Sequence, residues 1–265
     1  MFRFFRQIRQ RLLTHNEFSK YLLYAIGEIL LVVIGILIAL QIDNANEYRK
    51  ERGQERELLL QLKSEYRSNL EQLESKMNLR NKMISASYKL LDYIDHPNER
   101  NIDSTLKYLG FTILTPTFDP IVNDIISSGR IQLLQNPRLK EKLSRWTSDV
   151  VQVTEEEIVW LTYRTDNYRP FLEENVSIRT LTYHNWKNGL LQSFQLDNTR
   201  NTEFKLTESQ RDSDLSVLLD NPKFEDKMAV CLELNMLTNS QSLSLKQRIQ
   251  DVLELIEQEL NRFSP

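Results

Sequence analysis

The chain is poor in glycine, proline and cysteine, and each shortage excludes a class of protein. Its 265 residues include 6 glycines and 7 prolines. An all-β sandwich or barrel needs a turn every ~8–12 residues, and therefore more of both residue types. The single cysteine, Cys231, excludes an intramolecular disulfide and any zinc or iron–sulfur site built from several cysteines.

Motifs for common enzyme chemistry are missing as well. The sequence has no G-x-G-x-x-G or G-x-x-x-x-G-K-[ST] phosphate loop, no H-E-x-x-H or E-x-x-H metal motif and no G-x-S-x-G elbow. Its 3 histidines are His15, His96 and His184. We therefore predict no catalytic, cofactor-binding or metal-binding residue, no cofactor, and a protein that is not an enzyme.

Individual reactive residues leave two interpretations open. His96 follows Asp92 at a predicted helix end, where a metal could bind, but a solvated helix C-terminus is favoured. Cys231 lies seven residues after Phe224 on one helical face, which favours a buried thiol over a nucleophile. Glu155-Glu156-Glu157 are consecutive, so they point in different directions around a helix. We expect them to form a solvated face.

Two further clusters are equally open. Trp160 and Tyr163 lie one helical turn apart, which favours core packing over an aromatic ligand-binding wall. The corner Ser127-Ser128-Gly129-Arg130 is the best candidate for a polar recognition point. A capped helix end that turns into the next element is nevertheless the favoured interpretation there.

The strongest signal is a long apolar run. Tyr21 to Leu40 holds thirteen Leu, Ile or Val residues and one charge, Glu28. As a helix it spans roughly 30 Å, the thickness of a hydrocarbon core. The apolar residues contribute about −4 to −8 kcal/mol on insertion, against a cost of about 3 for the glutamate. The run exceeds a signal-peptide core and lacks a cleavage site, so we predict an uncleaved signal anchor in contact with the lipid bilayer.

The flanking charges predict the orientation of this span. Five Lys or Arg residues precede it, and three lie in the fifteen residues that follow it. The positive-inside rule then places the N-terminus in the cytoplasm and residues 43–265 in the periplasm, outside the inner membrane. Apolar residues and arginines interleave near the N-terminus, so residues 1–20 are either an interfacial amphipathic helix or a solvated basic tail.

Small residues share one face of the span with its carboxyl group. At ~100° per residue, Gly35 and Ala39 flank Glu28, and Ala25 lies close by. Such faces let membrane helices approach closely, and a polar group there can hydrogen-bond a partner. We predict a helix-association face, for a homo-oligomer or another membrane protein. A protonated Glu28 on a lone helix is the alternative.

The N-terminal region resembles a known family. The segment Lys20-Tyr21-Leu22-Leu23-Tyr24-Ala25-Ile26-Gly27-Glu28-Ile29 and the following LVVIGILIALQIDNANE are similar to an uncharacterised family of single-span Bacteroidota proteins. The similarity extends to about residue 75, and Ser127 to Ile131 again resemble the family. Ala45 stands where an interfacial tryptophan is expected. The resemblance implies a membrane topology and no activity.

The remaining sequence predicts helices. An apolar stripe with a period of 3.6 runs from Leu59 to Leu91, is interrupted only at Arg80 or Asn81, and stops before Pro97. Asp119-Pro120, Asn136-Pro137 and Asn221-Pro222 each predict a helix start. The first helix should end at Gly129, and the other two should cover about 137–165 and 222–238. A stretch at about 242–262 should either continue the last helix or follow it as a separate one. Residues 176–211 read as a long connection with a few short elements.

The second and third of these starts belong to an internal echo. The stretch from Leu133 to Leu143 matches the stretch from Leu218 to Met228 at five identical positions. An old duplication and convergence on good helix capping explain it equally well.

These observations predict four regions: a basic cytoplasmic segment (1–20), a transmembrane helix (21–42), a long membrane-proximal helix (43–97) and a helical domain (98–265) in the same bundle. The part after the span has 29 basic and 35 acidic residues, which argues against nucleic-acid binding. We expect a non-enzymatic interaction or scaffold module. A ligand-sensing helical bundle that acts through a membrane partner is the alternative, and an enzyme with an unrecognised site is the third hypothesis.

Overall fold

The computed structural model of the chain describes residues 18–121, 125, 127–189, 205–210 and 214–263. Over these ranges it contains helices and irregular segments and no strand, so the predicted all-α fold is confirmed. Most of the predicted basic segment, with His15, lies outside the described residues.

Helix α1 (Phe18–Asp95) is a single helix of 78 residues. It continues through Gly53, where a Cβ atom would meet nothing within 4 Å, and it ends two residues before Pro97 as the sequence predicts. The chain divides into two compact units between Leu58 and Leu59. In the first unit, α1 is the one helix among the described residues that is long and apolar enough to cross a membrane. None of its apolar window is buried.

The second unit contains the other helices, which we number in chain order. They are α2 (Ile102–Thr112), α3 (Pro137–Tyr163), α4 (Arg169–Asn175), α5 (Ile178–Lys187), α6 (Leu215–Leu219) and α7 (Pro222–Asn261). A π-helical turn, Arg164–Tyr168, joins α3 to α4, and 3₁₀ turns occupy Pro97–Glu99 and Arg130–Leu133.

The asparagine–proline signals begin helices as predicted. Asn136 accepts hydrogen bonds from the amides of Arg138 and Leu139 at the start of α3. Asn221 caps α7 by accepting from the amide of Lys223. A short helical element precedes each cap, so the two halves of the sequence echo share a local structure. The regions predicted at 222–238 and 242–262 form one continuous helix, α7.

The prediction that a helix starts at Asp119-Pro120 is wrong, because none of the described residues between 119 and 129 is helical. Residues 122–124 and 126 lie outside the described residues. Residues 114–121 are irregular, and Ile125, Ser127 and Ser128 form turns. Gly129 adopts a left-handed conformation (φ 72°), as a helix-ending glycine would, but it instead precedes the 3₁₀ turn at Arg130. A second proline at residue 116 helps to keep this region extended.

Helix α7 packs along α3 and runs antiparallel to the second-unit part of α1. Two ion pairs show the antiparallel direction: Lys63 pairs with Glu257, and Glu74 pairs with Lys246. The residue numbers rise along α1 as they fall along α7. The core that α7 shares with α2 and α4 includes Leu109, Leu172 and Phe224. Full burial of each such apolar side chain stabilises the fold by about 1.5–3 kcal/mol.

Candidate functional site

An extended segment between α2 and α3 is held against the helices, and we call residues 113–121 the strap. Its side chains alternate: Leu114, Pro116 and Phe118 are buried, whereas Thr117 and Asp119 are exposed. This period of two is that of a strand, yet the strap pairs with no other strand among the described residues. Its backbone groups must therefore find other partners.

Helical side chains supply those partners. The Trp160 indole Nε1 donates to the Leu114 carbonyl oxygen over 2.8 Å, and Arg164 Nε donates to the Ile113 carbonyl oxygen over 3.2 Å. Both donors belong to the end of α3 and the turn after it. The C-terminal part of α3 therefore holds the first residues of the strap.

Two amide side chains of α1 hold the other end. The amide of Asn69 donates to the Ile121 carbonyl oxygen over 3.1 Å and accepts from the Ile121 N–H over 2.8 Å. Gln72 binds Asp119 in the same way, over 2.9 Å and 2.8 Å. Each amide thus takes both backbone groups of one strap residue, as a neighbouring strand would.

A buried ion pair lies at the centre of the strap. Arg80 of α1 and Glu157 of α3 are 1% and 4% exposed. Arg80 Nη1 donates to Glu157 Oε1 over 2.6 Å and to the Pro116 carbonyl oxygen over 3.4 Å. The second carboxylate oxygen, Glu157 Oε2, accepts from the Phe118 N–H over 2.8 Å. The pair therefore binds the strap from both sides.

Helix α7 completes the surroundings of the guanidinium. Arg80 Nε donates to Asn239 Oδ1 over 2.9 Å, and Nη2 donates to Ser242 Oγ over 2.7 Å. The amide of Asn239 donates in turn to Asn81 Oδ1 over 2.7 Å. This network joins α1, α3, α7 and the strap through one side chain.

Burial shifts the pKa values of both charged groups. It lowers the pKa of Arg80, while Glu157 acts in the opposite direction. Burial likewise raises the pKa of the Glu157 carboxyl, against the hydrogen bond from Phe118 and the charge of Arg80. Two charges withdrawn from water in this way depend on each other and on their hydrogen bonds. The arrangement suits the positioning of a segment rather than the transfer of a proton.

The sequence gives only a weak signal for this network. Arg80 lies where the apolar stripe from Leu59 to Leu91 is interrupted, at Arg80 or Asn81. Glu157 is the last residue of the acidic run Glu155-Glu156-Glu157. The prediction of a solvated face is wrong for Glu157, which is buried, although Glu155 is exposed. The alternation of Leu114, Pro116 and Phe118 is the signal that would have predicted the strap.

The reactive residues singled out in the sequence lie apart from this network. Cys231 is fully buried, and burial raises the pKa of its thiol from 9.0 to about 12. The core interpretation is therefore confirmed, because the nucleophilic form of cysteine is the thiolate. Core packing is also confirmed for Trp160, whose ring centroid lies 6.2 Å from that of the half-buried Tyr163.

Each described histidine contacts its own carboxylate. His96 Nδ1 lies 3.1 Å from Asp92 Oδ1, one turn earlier in α1. His184 Nε2 lies 3.0 Å from Glu208 Oε1. The part of the chain that the structure describes holds no group of three His, Cys, Asp or Glu residues placed to bind a metal.

The predicted association face lies on the unburied part of α1. Glu28, Gly35 and Ala39 are exposed, and Ala25 is partly so. A Cβ atom at Gly35 would meet nothing within 4 Å. The other predicted recognition point, at Ser127 to Arg130, is also exposed, and Arg130 Nη2 donates to Gln61 Oε1 over 3.1 Å.

A groove between α3 and α7 is a separate feature of the second unit. Its volume is about 410 Å³, within the range of small-molecule sites. It is half-open, and its lining residues are Arg138, Glu141, Lys142, Arg145, Trp146, Asp149, Arg248 and Val252.

Comparison with known proteins finds a family model that matches part of the chain. Residues 28–105 match the model of a family of unknown function (DUF6090). The matched range contains most of the apolar run and also Asn69, Gln72 and Arg80, the α1 residues that hold the strap. No curated protein matches the chain. No solved structure matches it either.

Proposed function

We propose that this is a single-span membrane protein whose helical domain is a non-enzymatic interaction module. The unburied apolar window of α1 carries the proposal, because a run of this length and composition is stable in a bilayer and costly in water. The similarity to a family of unknown function over residues 28–105 supports a relation to an uncharacterised family. That this family consists of single-span Bacteroidota proteins is part of the proposal.

The proposed topology places the N-terminus in the cytoplasm, the span in the inner membrane and residues 43–265 in the periplasm. The excess of Lys and Arg before the span supports this orientation. A reporter that is active only in the periplasm, fused after Pro265, should be active. Activity of a cytoplasm-specific reporter at the same position would reverse the topology.

The proposed partner is a second copy or another membrane protein, bound through Ala25, Glu28, Gly35 and Ala39. The open surface around Gly35 supports this, because a close approach of helices needs a residue without a bulky side chain. Gly35→Leu should reduce the oligomer or complex recovered by crosslinking in native membranes. Leu37→Phe, about half a turn away from Glu28, is the matched control and should leave it unchanged.

Chemically reactive side chains that are buried in the second unit contact other parts of the fold. Arg80 and Glu157, two buried charged residues, bind the strap, and burial raises the pKa of the Cys231 thiol. These contacts support a non-enzymatic role, because the charges of Arg80 and Glu157 are used to hold the strap and the Cys231 thiol is not activated as a nucleophile. Equal recovery of the complex from wild type and Gly35→Leu would contradict an interaction role for the span.

A ligand-sensing bundle is the second candidate, and the groove between α3 and α7 is the observation that favours it. A sensor should change the crosslinking of its span when a ligand occupies the groove. A scaffold should not.

A further inference from the structure

The groove between α3 and α7 concentrates positive charge in a chain that is acidic overall. The net charge of the protein is −3, yet four cationic side chains line the groove against two carboxylates, Glu141 and Asp149. Three of the cations, Arg138, Lys142 and Arg145, project from successive turns of α3. Arg248 reaches the groove from α7.

Neighbouring carboxylates hold three of these cations in place. Lys142 Nζ lies 2.9 Å from Asp251 Oδ2, and Arg145 pairs with Glu141 over 2.9 Å. Arg248 pairs with Asp149 through a single nitrogen, Nη1. Since a guanidinium has five N–H donors, both arginines retain donors for a further acceptor.

Arg138 differs from the other three cations. Its backbone N–H donates to Asn136 Oδ1. Among the described residues, its side chain has no carboxylate within ion-pair distance. The groove therefore has at least one cation whose charge no described carboxylate offsets.

The floor of the groove is apolar and aromatic. Trp146 is buried, and its ring centroid lies 4.9 Å from that of Tyr66 on α1. Val252 lines the groove from α7. The cations therefore surround a patch that offers a ligand apolar contact as well.

We propose that this groove binds a phosphate-bearing ligand, with Arg138 and Arg145 of α3 as its principal contacts, Lys142 beside them on the same helix and Arg248 of α7 on the facing side. Guanidinium groups match the geometry of phosphate oxygens and can bind them in a bidentate manner. The ligand is a soluble phosphorylated molecule or the headgroup of an anionic phospholipid. This inference goes beyond the proposed interaction role and does not depend on it.

The test uses the full chain in phosphatidylcholine nanodiscs, titrated calorimetrically with inorganic pyrophosphate and, separately, with glycerophosphoglycerol. The second probe is the water-soluble headgroup of phosphatidylglycerol. The wild type should bind at least one probe with an affinity that falls as salt rises. Tighter binding of pyrophosphate indicates a soluble ligand, and tighter binding of glycerophosphoglycerol indicates a lipid headgroup.

The variant Arg138→Gln/Arg145→Gln should weaken binding at least tenfold. Arg169→Gln is the matched control, because Arg169 pairs with Glu173 four residues away over 2.8 Å, as Arg145 pairs with Glu141. The control should bind like the wild type. The single variant Arg138→Gln, which breaks no ion pair of the described residues, should weaken binding about threefold or more. No binding of either probe, or equal weakening in Arg169→Gln, overturns the proposal.

Discussion

Arg80 Nη1 lies 2.6 Å from Glu157 Oε1, and both side chains are buried. The two residues are 77 positions apart in the chain. Arg80 binds the carbonyl oxygen of Pro116 in the strap, and Glu157 binds the N–H of Phe118. This relationship makes the strap depend on two charges that are stable only together.

Removal of one partner should be far more costly than removal of both. Arg80→Met leaves the Glu157 carboxylate buried without its counter-charge and should lower the free energy of unfolding by about 3–5 kcal/mol. Arg80→Met/Glu157→Leu should cost only about 1–3 kcal/mol, mainly for the unpaired Phe118 N–H. Denaturation of the full chain in a neutral detergent, followed by circular dichroism, measures both.

An exposed pair is the control for this comparison. Arg169→Gln removes the exposed pair with Glu173 and should change the free energy of unfolding by no more than about 0.5 kcal/mol. A double variant that is at least as unstable as Arg80→Met would contradict mutual dependence of the buried charges.

The two amide clamps should differ in strength because they differ in burial. Asn69 is 1% exposed, whereas Gln72 is half-buried. Asn69→Ala leaves both Ile121 backbone groups unpaired and should cost about 1–3 kcal/mol, against about 0.5–1.5 for Gln72→Ala. Hydrogen exchange at the Ile121 amide should accelerate in Asn69→Ala and change little in Gln72→Ala. Equal exchange in both variants would show that the strap is held elsewhere.

The two asparagine caps provide an internal comparison. Replacement of a helix N-cap by alanine costs about 0.5–2 kcal/mol. Asn136→Ala should be the more damaging of the two, because Asn136 Nδ2 also donates to Glu259 Oε1 over 2.7 Å. Asn221→Ala removes the bond to the Lys223 amide alone. Thermal melting of both variants tests this order, and the reverse order would contradict it.

Cys231 should make stability depend on pH in the alkaline range. Burial raises the pKa of its thiol from 9.0 in the unfolded chain to about 12 in the fold. Its stabilising effect is therefore complete below about pH 9 and is lost as the pH rises toward about 12. The free-energy difference between wild type and Cys231→Ala should narrow between about pH 9 and about pH 12 in urea titrations. A constant difference would show that the thiol does not titrate there.

Local features of the fold are predictable because their causes lie within a few residues. Asn136-Pro137 and Asn221-Pro222 contain both the cap and a proline suited to the first helical turn. The burial of Cys231 follows from its place on the apolar face with Phe224. In each case the residues that cause the cap or the burial lie within about two helical turns of one another in the sequence.

The strap and its ion pair could not be predicted in this way. Arg80 and Glu157 each look like a surface residue, because the charge that offsets each of them lies on another helix. The reciprocal bonds of Asn69 to Ile121 span 52 residues, and no periodicity of α1 indicates them. Only the alternating burial of the strap has a local signal, and Asp119-Pro120 within the strap predicts a helix start instead.

The strap also sets an order of events during synthesis. Arg80 emerges from the ribosome long before Glu157, and Ser242, which completes its hydrogen bonds, emerges near the end of the chain. Before α7 is synthesised, burial of the Arg80 guanidinium would leave the N–H groups that bind Asn239 and Ser242 unpaired. We therefore expect the strap to reach its final position only after α7 has formed. Helix α7 therefore has to be present before the strap is fully held, and a chain truncated before Ser242 should be degraded by proteases faster than the full chain.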